Sequence, residues 1–432
     1  MLSEVKNDNK KLILNIKKGN SELNGIYDYS SSSVKQIKVY IAEDTYIVRT
    51  KYNSFVKKSQ HENINFKDGE NIIFQVNNGS NDTYYLVNPI PKHLKMTDNN
   101  FNYINNKIWY VIKNENIEDD LNSNEDYFLN ENDLIKLGRV KYAVQKISLK
   151  EWDNSINEEE APIPVAKKQY NISNLNKNKL PTFDFIYEVK NNSNQIDNQI
   201  DINETVIIEK DNDKCKICHI ENNNNLENDD DDGNNFLISL CKCKEFVHYR
   251  CIKNNIKQKI LLNKNKKKFD DSILIKEFEC SECGTQYPLK FKLPGVDEIY
   301  NLVDITEPTD CNFLILESID YRHNEKYCKS IHVIKFFKNK NVITIGGDSD
   351  NDIIISDISI SSKHAVLKYI EERGKICIEN RNKKYVTSVL VKEPIKVLDK
   401  KIFLQVGETY IECNLIGKET NQVDINYDKK GK

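Results

Sequence analysis

The stretch CKCKEFVHYRC, residues 241 to 251, sets three cysteines and a histidine within eleven positions. Such density constrains folding more than any apolar pattern, because it implies a disulfide knot, a reactive thiol with its base, or half of a metal site. Seven of the eleven cysteines fall between residues 215 and 283. In order, the candidate ligands are Cys215, Cys218, Cys241, Cys243, His248, Cys251, Cys280 and Cys283, separated by two, twenty-two, one, four, two, twenty-eight and two residues. Cys-x-x-Cys lets a tight turn bring two thiolates onto one tetrahedral zinc ion, and His-x-x-Cys does the same with one imidazole. Four close pairs make two four-coordinate sites, so two Zn2+ are the expected cofactors. His219 adjoins Cys218, but His248 already completes the count, and His219 is expected to be an exposed loop residue. Cys311, Cys328, Cys377 and Cys413 stand alone.

The amino terminus, MLSEVKNDNKK, is charged where a signal peptide would be apolar, and no run reaches the ~18 apolar residues of a membrane span. A soluble protein of cytoplasm or nucleus is therefore expected. In that reducing setting stable disulfides are rare, which favours metal. A cysteine nucleophile served by His248 would leave a site one ligand short. The net charge of -3, from 63 basic and 66 acidic residues, gives no global attraction to nucleic acid or to an anionic membrane, and neither is expected as a partner. The run NKNKKK reads as a solvated loop. Gly-rich phosphate loops, Ser-His-Asp sets and paired carboxylates in a defined context are all missing, so no catalytic residue is assigned.

Around the cysteines the chain reads as mainly β and multidomain. From residues 11 to 150, short alternations such as KLILNI, QIKVYI, NIIFQV and KIWYVI are separated by Asn-Gly and Asp-Gly turns, the pattern of an antiparallel sheet. Residues 151–213 are polar and read as a linker with one short ordered piece around FDFIYEV. Residues 214–292 read as a cysteine-rich module, 311–417 as a second all-β domain, and 418–432 as a loose tail.

The ligand order Cys-Cys-Cys-Cys-His-Cys-Cys-Cys resembles the RING-variant (RING-CH) zinc finger and also fits the plant homeodomain finger. Both interleave their ligands in a cross-brace, which implies Cys215, Cys218, His248 and Cys251 on one ion and Cys241, Cys243, Cys280 and Cys283 on the other. The single residue between Cys241 and Cys243 favours the RING variant, whereas the four from Cys243 to His248 are nearer the homeodomain-finger spacing. RING-type fingers dock a ubiquitin-conjugating enzyme and hold its thioester in a reactive pose, without a nucleophile of their own. The resemblance places that docking surface at Ile217, Ser281 and Glu282, although the usual apolar residue or Pro of the last loop is missing. Ubiquitin ligase is thus the expected activity, with a non-enzymatic adaptor, or a finger reading a histone tail, as alternatives.

The segment VITIGGDSDNDIIISDISISSKHAVLKY, residues 342 to 369, resembles the core of a forkhead-associated (FHA) domain, a β-sandwich that grips phosphothreonine in loops at one end. Gly346, Asn351, Asp352, Ser361 and His364 keep the family spacing. Gly346, Asn351, Ser361 and Lys363 are the implied phosphopeptide-binding residues, with His364 structural. Gly347 stands where the family has an Arg, Ser362 replaces a common basic residue, and Val386 replaces the glycine of a Gly-Thr turn. The fold is expected to be kept and phosphothreonine affinity weakened or lost. ENDLIKLGRVKYAV, with Asp133, Gly138 and Arg139, resembles the closing strands of the same family, so residues 11 to 148 read as a degenerate FHA-like sandwich or an unrelated β fold. Two sandwiches flanking a cross-brace finger resemble soluble proteins that combine FHA and RING-variant modules.

Overall fold

The protein is described by a computed structural model covering residues 11–23, 26–29, 34, 36–50, 55–59, 70–79, 83–88, 107–113, 127–150, 186–188, 214–220, 236–243, 245–262, 271–293, 298–319, 321–323, 326–382, 385–398 and 401–416. Most of the linker and the tail lie outside these residues. The chain gathers into two compact units. One comprises residues 1–93, 101–125 and 380–432, and the other residues 94–100 and 126–379. This grouping does not follow the boundaries drawn from the sequence at 150 and 311.

The first unit is a β-sandwich. In one sheet Lys11–Lys18 runs antiparallel between Thr409–Ile416 and Gln36–Ile41, in register from Lys11 opposite Ile416 to Lys18 opposite Thr409. Ile402–Val406 joins Thr409–Ile416 to Trp109–Ile112, which also pairs with Thr387–Leu390. The second sheet contains Ile395–Val397, Tyr84–Val87, Asn71–Asn78, Thr45–Arg49 and Phe55–Ser59. Side chains alternate across a strand, so Leu12, Leu14 and Ile16 share one face. They pack there with Ile47, Phe74, Val76, Leu86, Leu404 and Ile411 in a single core.

The second unit is also built on a sandwich. One sheet runs Ile260–Leu262, Ile273–Ile275, Lys326–Phe336, Asn312–Ile319, Val140–Ser148 and Leu134–Leu137. The other runs Tyr127–Phe128, Lys375–Asn380, Ala365–Ile370, Val342–Gly346 and Ile353–Ile354. Strands from residues 127–148 thus complete a sandwich whose other strands come from residues 260–275 and 312–380. An alternating strand specifies which face is buried but not which strand lies beside it, so sequence pattern leaves this pairing open.

The cysteine-rich region belongs to this second unit and is joined to it twice. Ile273–Ile275 pairs with Lys326–Phe336, Ile273 opposite Ile331 and Ile275 opposite Lys329. Its core, with Ile238, Ile252, Ile256, Phe278 and Phe291, also takes in Phe313, Ile315, Ile331 and Val333 of the two central strands. The piece expected around FDFIYEV is the strand Ile186–Glu188, parallel to Lys290–Lys292. No helix among the described residues is long and apolar enough to cross a membrane.

Candidate metal centres and the FHA-like loop

Two turns and one helix carry most of the candidate ligands. In the first turn the Cys215 N–H bonds to the Ile220 carbonyl at 3.0 Å and the His219 N–H to the Cys215 carbonyl at 2.8 Å. The last turn repeats this, Cys280 N–H to the Thr285 carbonyl at 2.8 Å and Gly284 N–H to the Cys280 carbonyl at 2.9 Å. Each turn closes with a left-handed residue, His219 at φ 61° and Gly284 at φ 65°. Glycine takes that conformation without the Cβ clash that histidine accepts. His219 is exposed and outside both ligand groups, as expected of a loop residue. His248 immediately precedes the helix Tyr249–Lys259, whose first turn holds Cys251. Ile252 and Ile256, four apart, bury that helix's apolar face in the core.

These elements bring the eight residues into two groups, Cys215, Cys218, His248 and Cys251, and Cys241, Cys243, Cys280 and Cys283. Within each group the ligand atoms all lie within 4.8 Å of one another. Cys218 Sγ is 3.3 Å and Cys251 Sγ 3.9 Å from His248 Nδ1, and Cys243 Sγ is 3.9 Å from Cys280 Sγ. With metal–sulfur bonds of about 2.3 Å and metal–nitrogen bonds of about 2.0 Å, a tetrahedron has S···S edges of about 3.8 Å and S···N edges of about 3.5 Å. The donor sets therefore fit a four-coordinate ion in both groups. The groups alternate along the chain, first pair with third and second with fourth.

Hydrogen-bond donors favour the thiolate at two of the ligands, Cys215 and Cys283. Burial alone would raise the Cys215 thiol, yet the backbone N–H groups of Cys218, His248 and Ile217 hold it below its ordinary value. For Cys283 burial is likewise outweighed, chiefly by the Thr285 hydroxyl and backbone, and its thiol falls to about 6. The other three shifted thiols among the ligands lie above their ordinary value: burial raises Cys241 and pushes Cys251 up to about 12, and the neighbouring Cys283 side chain, with burial, pushes Cys243 up to about 11. Burial also keeps His248 below its ordinary value, in the neutral form a metal requires. None of the eleven cysteines is in a disulfide, and the four solitary ones are buried.

The residues expected at a docking surface are exposed. Ile217 keeps 39% of its surface, and Ser281 and Glu282 lie on the last turn. Lys216 links the two turns, with Nζ 3.4 Å from Glu282 Oε1 and 2.5 Å from Glu245 Oε2. Such exposed pairs orient loops but contribute little stability.

In the sandwich of the same unit, Gly346 lies where a Cβ would come within 2.1 Å of the Ser362 carbonyl and 2.6 Å of Asn351 Nδ2. Asn351 is buried and donates to the Asp348 carbonyl at 2.9 Å and the Ser362 carbonyl at 2.6 Å. Asp352 accepts from the Thr344 N–H and hydroxyl and from Lys340, which hold its carboxyl below the ordinary value against burial. His364 is fully buried and pushed down to about 4 by that burial, and its Nδ1 accepts the Ser361 N–H at 3.2 Å. Gly346, Asn351 and His364 thus shape the loop from within. Ser361 is half-buried, while Lys363 and Gly347 are exposed. A Cβ at Gly347 would approach nothing closer than the Ile360 carbonyl at 3.4 Å, so the site has room for a side chain.

Two features escaped sequence reading. Arg139 forks onto Asp357, and Lys329 pairs with Glu317 inside the protein. Spacing gives no signal for either.

Residues 343–409 match the family model of the FHA domain, and no RING-variant family match accompanies it. Comparison with curated proteins and with solved structures returns no match. The segment from Ile343 to Thr409 is therefore similar to an FHA domain, a module of protein recognition often directed at phosphothreonine, and it stands in the same chain as two groups of ligands that could hold metal ions.

Proposed function

We propose that the eight ligands hold two zinc ions in a cross-brace, that the finger docks a ubiquitin-conjugating enzyme, and that the FHA-like sandwich selects a protein partner containing phosphothreonine. The observation that carries this reading is the alternation of the two tetrads along the chain, which supports a cross-brace over two successive fingers. All-thiolate and thiolate–imidazole sets of tetrahedral shape suit zinc, which would act here structurally, fixing the two turns at a set separation. Ile217 exposed on one turn, tied by Lys216 to the other, supports a small docking surface across both. Catalysis of this kind is positional and needs no residue that attacks the substrate.

Autoubiquitination of the full chain with a panel of conjugating enzymes tests the ligase. Activity is expected with at least one enzyme, lost in Cys280→Ser, and reduced about tenfold or more in Ile217→Ala with its zinc content unchanged. Inactivity across the panel, from protein holding two zinc ions, removes the ligase and leaves the adaptor. That second reading has its own support in the last turn, where Glu282 is polar and engaged with Lys216.

For the sandwich, Gly347→Arg is expected to raise affinity for a phosphothreonine peptide library by about tenfold or more. A guanidinium would be added beside Ser361 at a position with room for it, and charge-assisted forks to phosphate are among the strong hydrogen bonds. Titration by fluorescence polarisation, with unphosphorylated peptides as control, gives the answer. Equal affinity in the two proteins would mean that this loop does not face phosphate.

A further inference from the structure

The loop between Ile353–Ile354 and Ala365–Ile370 carries Ser361, and its conformation is fixed from a segment more than two hundred residues away. Arg139, in the turn between Leu134–Leu137 and Val140–Ser148, donates from Nε to Asp357 Oδ1 at 3.0 Å and from Nη2 to Asp357 Oδ2 at 3.0 Å. Its backbone N–H reaches Ser359 Oγ at 2.9 Å. The same carboxylate accepts the Ser359 N–H at 2.9 Å and hydroxyl at 2.7 Å. The Ile360 N–H bonds to the Asp357 carbonyl at 2.9 Å, and the Ser361 carbonyl accepts the Gly347 N–H at 2.9 Å. The approach requires glycine at 138. Its φ is +58°, and a Cβ there would stand 2.4 Å from the Ser359 carbonyl. Asp357 keeps only 5% of its side-chain surface, so the fork is largely out of water, where a bidentate pair gains strength and direction.

We infer that Arg139 is a positioning residue for phosphopeptide recognition: it clamps Asp357 and Ser359 and thereby sets the pose of Ser361, which follows two positions on. The ligand rests on the reading given under Proposed function, whereas the clamp rests on the geometry alone. Without the fork Asp357 keeps only donors within its own loop, and nothing outside the loop holds its carboxylate among the contacts described. The segment containing Arg139 thus acts on a recognition loop encoded near the other end of the chain.

Two measurements on the full chain test this, amide hydrogen exchange of residues 356–363 and titration with a phosphothreonine peptide library. In Arg139→Ala, exchange at those amides is expected to rise about tenfold or more, while the amides of Ala365–Ile370 keep their wild-type rates. Peptide affinity should fall about tenfold, with Arg139→Lys between wild type and Ala in both readouts, because an ammonium keeps the charge but not the fork. A merely structural role would lower the melting temperature without this graded rescue of affinity. Wild-type exchange in Arg139→Ala overturns the clamp. If the wild-type chain bound no phosphothreonine peptide while Arg139→Ala still loosened the loop, the clamp would stand and the assigned ligand would fall.

Discussion

Removing metal from the 432-residue chain is expected to unfold the region from residues 214 to 303 and to loosen the sheet it joins. Besides the ligands, only short elements and the core shared with the two central strands order that region. Its one described helix has eleven residues, shorter than a helix that persists alone in water, and its strands are two or three residues long. Structural zinc contributes about 10–16 kcal/mol to zinc-finger peptides, a term of the same order as burial of this region's apolar core, so its loss is expected to leave too little to hold the region folded. Zinc analysis should give two ions per chain, and Cys280→Ser should give one. Chelation should raise amide exchange not only around the ligands but also in Lys326–Phe336, which would lose Ile273–Ile275 as a hydrogen-bonded neighbour along with the apolar cover on Ile331 and Val333. Thiolates bind the ion and thiols do not, so occupancy and the stability it confers should be present at neutral pH and lost as the pH falls. A chain holding one ion or none, with these exchange rates unchanged in chelator, would overturn the metal reading and the docking surface built on it.

The ligands could be grouped before the fold was known because each pair is local. Two cysteines three positions apart lie on one turn whatever the rest of the chain does, and resemblance to cross-brace fingers then implied which pairs meet. The signature of the FHA-like loop was legible for a similar reason, since Gly346, Asn351, Ser361 and His364 fall within nineteen positions and most of their bonds stay inside that stretch. Strand identity was legible from alternation, as in KLILNI, where Leu12, Leu14 and Ile16 are buried. Partnership was not. Lys11–Lys18 pairs with Thr409–Ile416, and Val140–Ser148 with Asn312–Ile319, whereas the sequence places the members of each pair in separate β domains. Local pattern holds no information about which of many similar strands will lie alongside. The Arg139–Asp357 fork was hidden for the same reason, its ends lying 218 positions apart.

A large effect is expected also from one buried carboxylate. Glu317, on Asn312–Ile319, and Lys329, on the adjacent Lys326–Phe336, form an ion pair of 2.6 Å with only 7% and 8% of their side-chain surfaces exposed. Lys329 donates further to the Ser318 carbonyl at 3.0 Å, and Gln145 donates to the other Glu317 oxygen at 2.5 Å. Glu317 lies on the same strand face as Phe313 and Ile315, and therefore on the face that meets the cysteine-rich region. Burying two charges costs several kcal/mol each, and the pair offsets this only while both members are present. Glu317→Ala should therefore destabilise the sheet by about 3–5 kcal/mol, because an ammonium is left without its counter-charge, with Gln145 losing its acceptor as well. Replacing both partners by apolar residues, Glu317→Leu with Lys329→Met, should cost far less and can be neutral or stabilising, since no charge is then stranded. Because the chain has two units, the quantity to compare is the opening free energy of amides in these two strands from native-state exchange, with zinc content held at two ions per chain. If the single variant costs no more than about 1 kcal/mol, the carboxylate is solvated and the cysteine-rich region does not seal this face of the sheet.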